Sequence, residues 1–334
     1  MSAAVERPEP AASAGPASSG TAQGTTDAGC ALHGATLYDH AALADSARAL
    51  PTEGELAAST AAFERDGLLV FTEAFSAEQV AAQNEALQSL VDGSNAKFSV
   101  DFSAAAAGGT PDFTSGAKIP WVQYEAGTQV DGAVLRPELS DRARKVMGFV
   151  GYSAAIDAAV CDERILSLVA TLLRCSVAEL ELFQDMALLK PPGGGREKPW
   201  HQDKAYFNVG IDTPVIGCWI AVDEATCDNG CMRMLRGGHK AGPKMHFPRR
   251  DYQICDDDAP AAASGDDIVA CPLPPGGLVI FDGMLPHGTP VNATQDRRRA
   301  LQFHWIKRGA APVGPDDNGG RVEVYGGVAN GLTC

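Results

Sequence analysis

The chain has 334 residues, enough for one catalytic domain with a large core and a tail. Its 42 acidic against 27 basic side chains give a net charge of −15, which argues against general nucleic-acid binding because that needs a basic surface. No apolar run reaches membrane-spanning length, and nine scattered cysteines without a Cys-x-x-Cys pair read as reduced, mostly buried thiols of an intracellular protein.

Residues 1–35 are mainly Ala, Ser, Gly, Pro and Thr, a composition that cannot offset the cost of ordering, so a disordered tail is expected. The segment lacks the apolar stretch of a secretory signal. With Glu6, Arg7 and Glu9 it is a poor transit peptide, so a cytoplasmic location is expected. Residues 36–334 read as a single domain, with a helical part over about 57–175 and a strand-rich core over about 181–308. Ser59–Asp66 predicts a short helix and Leu68–Phe71 a strand. Ser76 with Gln79 is a capping-box signature opening a helix to about Val91. Residues 93–152 show no clear period and are expected to be loops closing over an active site. Trp121, Gln123 and Tyr124 within them are candidates to line a substrate pocket, with ordinary packing as the alternative. Asp157–Leu173 has one helical period.

Glu181–Leu189 predicts a strand with Gln184, Met186 and Leu188 on one face, which makes Gln184 and Met186 candidate substrate contacts. Next comes His201-Gln202-Asp203, preceded by Pro199 and followed by Tyr206, Phe207 and Val209, a context of extended backbone. Side chains two apart on a strand share a face, so His201 and Asp203 can converge on one divalent metal, above all iron(II) if a second histidine completes the set. In Val215–Val222, Ile216, Cys218, Ile220 and Val222 form one packed face. Gly217 and Ala221 flank Trp219 on the other, a pattern that leaves room for a ligand beside the indole or packs as plain core. Arg236 to Arg250 gathers Arg236, Lys240, Lys244, Arg249 and Arg250 with His239 and His246. Lys244, Arg249 and Arg250 are thus candidates to bind an anionic substrate, the alternative being a solvated loop. Asp256–Asp258 and the Ala-rich run after them look like a surface excursion. His33, His40, His239 and His304 read as ordinary histidines.

Gly276–Asp282 is a turn and a buried strand, and His287, just beyond it and 84 residues after Asp203, is placed as a third ligand. Leu301, Phe303 and Trp305 alternate with Arg298, Ala300, Gln302 and His304. If the apolar set packs against helices, the polar set faces the interior. That selects Arg298 among the three consecutive arginines as a fork for a carboxylate.

Together with Lys190-Pro-Pro-Gly, Asp228-Asn-Gly-Cys231, Arg236-Gly-Gly-His239-Lys and Pro275-Gly-Gly277, these segments resemble the phytanoyl-CoA dioxygenase family of iron(II)- and 2-oxoglutarate-dependent oxygenases. They keep family order and spacing over about 120 residues, and Phe63–Val70 resembles the family's opening. The resemblance implies a mainly β fold with flanking helices around a double-stranded β-helix, or jelly roll. It implies His201, Asp203 and His287 on iron, Arg298 and Thr289 on the 2-oxoglutarate C5 carboxylate, and Trp219 and Gln202 nearby. The implied reaction uses iron(II), 2-oxoglutarate and dioxygen, with ascorbate as a support, and releases succinate and carbon dioxide. Related halogenases replace the carboxylate ligand with a small residue, so the presence of Asp203 favours hydroxylation of a C–H bond, with desaturation or ring chemistry as variants. The alternative class is a non-catalytic or regulatory jelly roll. Expected partners are a small-molecule substrate, with no nucleic acid and no membrane, and a monomer is the default.

Overall fold

The computed structural model describes residues 36–95, 121–125, 137–207, 209–248, 251–254 and 267–310. The N-terminal tail, most of 93–136, Arg249, Arg250 and the Asp256–Asp258 excursion lie outside the described residues. In chain order the strands are β1 (Ala42–Leu43), β2 (Leu68–Phe71), β3 (Trp121–Tyr124), β4 (Ala143–Met147), β5 (Leu180–Lys190), β6 (Lys198–His201) and β7 (Ile216–Ala221). They continue with β8 (Met232–Leu235), β9 (His246–Pro248), β10 (Tyr252–Ile254), β11 (Ile268–Cys271), β12 (Leu278–Asp282), β13 (His287–Thr289) and β14 (Arg298–Lys307). The helices are α1 (Leu56–Asp66), α2 (Ala77–Val91), α3 (Ala154–Val160) and α4 (Glu163–Leu172).

Period-two alternation sorts the strands into two facing sheets. One has seven strands in the order β2-β12-β7-β14-β5-β4-β3, and the other has five in the order β1-β11-β8-β13-β6. All pairings are antiparallel except β1 with β11. One core lies between the larger sheet and the helices, where Leu301, Phe303, Ile216, Cys218 and Ile220 pack with Leu87, Leu90, Ile156 and Leu168. A second lies between the sheets, joining Trp219, Ala221, Val279, Phe281 and Ala300 to Met232, Met234, Val269 and Cys271. This is the jelly roll with flanking helices, and each fully buried large apolar side chain contributes about 1.5–3 kcal/mol.

Three local expectations change. The stretch read as loops contains β3 and β4, which pair with each other and extend the larger sheet through Val146↔Ala187. Their apolar positions do not alternate along the strand, so burial by neighbouring strands decides. The helix expected over 157–173 is two helices. Asp162 accepts hydrogen bonds from the backbone N–H groups of Arg164 and Ile165 and caps α4, so the first helix ends before it. His287 is not in a bare strand end but opens β13, which pairs with both β6 and β8. Elsewhere Ser76 caps α2 with the reciprocal Gln79 bond, as its sequence predicts.

Candidate metal centre

His201 ends β6 and His287 opens β13, and the two are cross-strand neighbours with ring centroids 4.2 Å apart. The strand does not run through Asp203. Gln202 keeps an extended backbone, and Asp203 then starts a 3-10 turn, so the alternation still delivers Asp203 to the side of His201. Asp203 Oδ1 lies 3.2 Å from His201 Nε2 and 3.6 Å from His287 Nε2. One donor atom from each of the three buried residues falls within 4.8 Å of the others, the only such group among the described residues.

The protonation state suits a metal. His201 Nδ1 is 2.8 Å from the Pro199 carbonyl and His287 Nδ1 is 2.9 Å from the Leu285 carbonyl. A carbonyl only accepts, so each Nδ1 carries the hydrogen and each Nε2 presents a lone pair inward. Burial, reinforced by His287, lowers His201 to about 3, and burial lowers His287 as well. Burial alone would raise Asp203, but His287, His304 and His201 together hold it well below the usual carboxylate range. Two neutral imidazoles and one carboxylate are the donor set that a first-row divalent ion takes.

The other oxygen of Asp203 is held from the opposite sheet. Gln302 Nε2 donates to Oδ2 at 2.9 Å, and His304 Nε2 lies 2.8 Å from the same atom. In the sequence His304 reads as an ordinary histidine. The alternation turns it inward, but nothing nearby in sequence points to its partner, 101 residues away.

Arg298 faces the same interior. It is 2% exposed, its guanidinium stands 5.4 Å from the Trp219 ring centroid, and its Nε and Nη1 have no hydrogen-bond partner. Burial lowers Arg298 to about 10, so it stays charged at neutral pH. Its neighbours diverge, as the alternation requires. Arg299 pairs with Asp223 at 2.8 Å and reaches Asn84 and Gln88 of α2, while Arg297 pairs with Asp141. A buried guanidinium with idle donors is costly unless an anion completes it.

A profile of the phytanoyl-CoA dioxygenase (PhyH) family matches residues 63–300. The chain belongs to the phytanoyl-CoA dioxygenase family. A phytanoyl-CoA dioxygenase of Arabidopsis thaliana is 30% identical over 126 residues, covering 38% of this chain and 44% of that protein. The chain thus aligns with less than half the length of the first curated relatives. EvdO2 from Micromonospora carbonacea var. aurantiaca superposes with a TM-score of 0.55 at 25% identity, covering 80% of this chain and 97% of that one, and it has also been solved complexed with 2-oxoglutarate. EctD from S. alaskensis, solved with bound Fe, shares the fold with a TM-score of 0.57 at 21% identity, covering 85% of this chain and 91% of that one.

Within this PhyH-family fold the remaining candidates separate. Met186 pairs with Gln302, and Gln184 pairs with His304, so both lie on the inward face beside the Asp203 contacts. Gln123 pairs with Lys145 on β4, while of Trp121 only the backbone is described. Lys145 is a half-buried cation lowered to about 8 by burial and by Lys198, with Asp203 among the charges that act on it, and among the described residues it has no ion-pair partner. Thr289 is buried at the end of β13, just before Pro290, whose carbonyl accepts from Lys190 Nζ at 2.7 Å. Lys190 is the register partner of Arg298. Gly230 (φ +95°) lies against Pro290 and Lys190, and a Cβ there would fall 2.8 Å from the Pro290 oxygen.

Two expectations need correction. Gln202 faces away from the ligand side. Its Nε2 donates to the carbonyls of Gly242 (2.9 Å) and Met284 (2.7 Å), and its Oε1 accepts from Lys244 N–H at 2.7 Å, so its amide is fully used in bracing the 242–246 segment. The room predicted beside Trp219 at Gly217 is filled, because a Cβ there would meet Phe281 Cζ at 2.4 Å. Within the 236–250 cluster His246 is a buried, bonded histidine. His246 Nε2 accepts from Gln202 N–H at 2.8 Å, its Nδ1 faces the Lys244 carbonyl, and burial lowers it to about 4.

Proposed function

We propose that the protein is an iron(II)- and 2-oxoglutarate-dependent dioxygenase that hydroxylates a C–H bond of a small organic substrate. One observation carries the reading: the buried guanidinium of Arg298, with two idle donors, faces the interior that also holds three metal-competent donors. A metal site alone would give no reason to bury such a charge, whereas a chelating dicarboxylate brings an anion for the guanidinium and donors for the metal.

His201, Asp203 and His287 would hold the iron, which, with 2-oxoglutarate and dioxygen, supplies an oxidant strong enough to remove hydrogen from carbon. The chain's own residues set up that chemistry. Pro199 and Leu285 carbonyls fix the tautomers, and Gln302 and His304 occupy Asp203 Oδ2 so that Oδ1 is the atom left for the metal. These three donors would leave the metal open to the cosubstrate and oxygen. Arg298, backed by Trp219 and next to Thr289 in the family pattern, would grip the far carboxylate. Gln184, Met186 and Gln123 would line the substrate side, with Lys145 supplying an unpaired cation to an anionic group. That residue supports an anionic substrate better than the 236–250 loop does.

The test is succinate release by anaerobically iron-loaded protein across a panel of carboxylated and neutral metabolites. Wild type should release succinate with at least one of them, while His201→Ala and His287→Ala should not. Full turnover in either variant would remove the assignment.

A further inference from the structure

The turn between β7 and β8 holds a second group of reactive side chains that the oxygenase reading does not use. Asn229 shapes it. Its Oδ1 accepts from Thr226 N–H at 2.8 Å, its Nδ2 donates to the Glu224 carbonyl at 2.8 Å, and Cys231 N–H returns to the Thr226 carbonyl at 2.9 Å. The turn folds Cys227 back towards Cys231, four residues later, so that one guanidinium, that of Arg233, reaches both residues. The spacing is Cys-x-x-x-Cys, one residue longer than Cys-x-x-Cys.

Arg233 binds both ends of this pair. Its Nη2 donates to the Cys227 carbonyl at 3.2 Å, and its Nη1 donates to the Cys231 carbonyl at 3.3 Å and to Cys231 Sγ at 2.7 Å. Its Nε donates to the Tyr38 carbonyl at 3.0 Å. Arg233 is buried, and among the described residues no carboxylate forms an ion pair with it. A buried guanidinium surrounded by carbonyls and a sulfur favours negative charge on that sulfur pair. His40 Nε2 lies 4.0 Å from Cys227 Sγ on the other flank. Cys231, then Arg233 and His40, bring Cys227 down to about 6 against the opposing effect of burial, and Cys231 is raised in turn. Cys231 is buried and Cys227 only half-buried, so an oxidant from solvent meets Cys227 first.

We propose that Cys227 and Cys231 form an oxidisable dithiol site, in which Cys227 reacts with hydrogen peroxide and Cys231 resolves the product into a disulfide. In the first step the Cys227 thiolate attacks peroxide. An S–O bond forms, the O–O bond breaks, and the departing hydroxide takes a proton to become water. Sulfur is oxidised by two electrons to a sulfenic acid. In the second step Cys231 gives up its proton and attacks the Cys227 sulfur. The S–S bond forms, the S–O bond breaks, and a second water leaves. The site is one strand from the metal ligands, since β8 pairs with β13 through Met234↔His287. The proposal does not depend on the oxygenase reading, because its readout is the thiols themselves.

The test uses the reduced full-length chain. Iodoacetamide at pH 6.5 should label Cys227 on the order of tenfold faster than the exposed Cys161. After a brief exposure to hydrogen peroxide, the tryptic peptide from Ala205 to Arg233, which contains Cys218, Cys227 and Cys231, should lose two hydrogens and two alkylation sites while Cys218 still alkylates after denaturation. Dithiothreitol should restore all three sites. Cys231→Ser should stop at a sulfenic acid on Cys227 that dimedone traps, and Cys227→Ser should give neither product. If Cys161 or Cys175 oxidises first, or if peroxide leaves the wild-type peptide fully alkylatable, the proposal is wrong. The wild-type mapping decides even where a serine variant fails to fold.

Discussion

Replacing Arg298 by Met should strengthen the resting protein while abolishing its response to 2-oxoglutarate. The guanidinium is 2% exposed, and its Nε and Nη1 are without partners. Each buried unsatisfied donor costs about 1–3 kcal/mol, and an apolar side chain of similar length over Trp219 removes that cost. A net gain of about 1–3 kcal/mol would raise the melting temperature by a few degrees, on the order of 2–4 °C per kcal/mol for a domain of this size class. Binding should move the other way. Two charge-assisted hydrogen bonds to a carboxylate, at about 1.5–3 kcal/mol each, correspond to a loss of roughly 10²–10⁴ in affinity. The assay is thermal unfolding by differential scanning fluorimetry, anaerobic and with Mn(II), with and without 2-oxoglutarate. Wild type at a hundred times its dissociation constant gains about 2.7 kcal/mol from the ligand, and the variant should gain almost none. Arg298→Lys should fall between, since a point charge cannot replace a planar fork. The same change at Arg297, paired with Asp141 at the surface, should do little. An Arg298→Met protein that melts lower and still responds to 2-oxoglutarate would refute the reasoning.

Gln302→Leu or His304→Phe removes one of the two donors to Asp203 Oδ2. Metal affinity, followed by anaerobic Co(II) titration, should drop by about 10–100-fold, and an unchanged affinity would remove the positioning role. His246, held neutral at about 4 against an ordinary 6.5, makes stability depend on pH. Between those values the unfolded chain binds a proton that the folded chain does not, so stability should fall as pH drops from 6.5 towards 4. His246's share of that loss is roughly 3 kcal/mol, so His246→Gln should make the slope measured by urea unfolding shallower, with His201 and His287 supplying the rest. Phe303→Ala, beneath the helices, should cost about 3–5 kcal/mol in the same assay without altering the spectrum of a Co(II)-loaded site.

Strand alternation made much of the interior legible. One period-two reading of Arg298 to Trp305 separates the residues that pack under the helices from those that look inward, and it picks Arg298 over two identical neighbours. What alternation cannot show is how far away a side chain's partner lies. Gln202 sits between two ligands in sequence, yet its side chain points to the opposite face and braces backbone at Gly242, Lys244 and Met284. His304 resembled any buried histidine until Asp203 arrived from the other sheet. The strands β3 and β4 were invisible for another reason. Four and five residues, each with three apolar positions that do not alternate along the strand, carry no clear period, and only the edge of β5 makes them strands. Within the 236–250 segment the sequence also gives no sign that His246 is buried and bonded to the Gln202 N–H rather than open to solvent.

Asp203 explains why the centre needs both sheets. Its Oδ1 faces two imidazoles carried by the five-stranded sheet, and its Oδ2 is held by two donors from β14 of the seven-stranded sheet. A carboxylate this deeply buried is stable as an anion only while its donors are in place, and removing one partner of such a charge costs about 3–5 kcal/mol. The two imidazoles facing Oδ1 turn their Nε2 atoms to it, and their Nδ1 hydrogens are spent on the Pro199 and Leu285 carbonyls. Gln302 and His304 therefore supply the hydrogen bonds to its other oxygen. They use the oxygen that a one-point ligand does not need, which leaves Oδ1 poised between His201 and His287. The packing of one sheet on the other is thus part of the donor geometry. Substitutions in the core between them should loosen the metal before they unfold the chain.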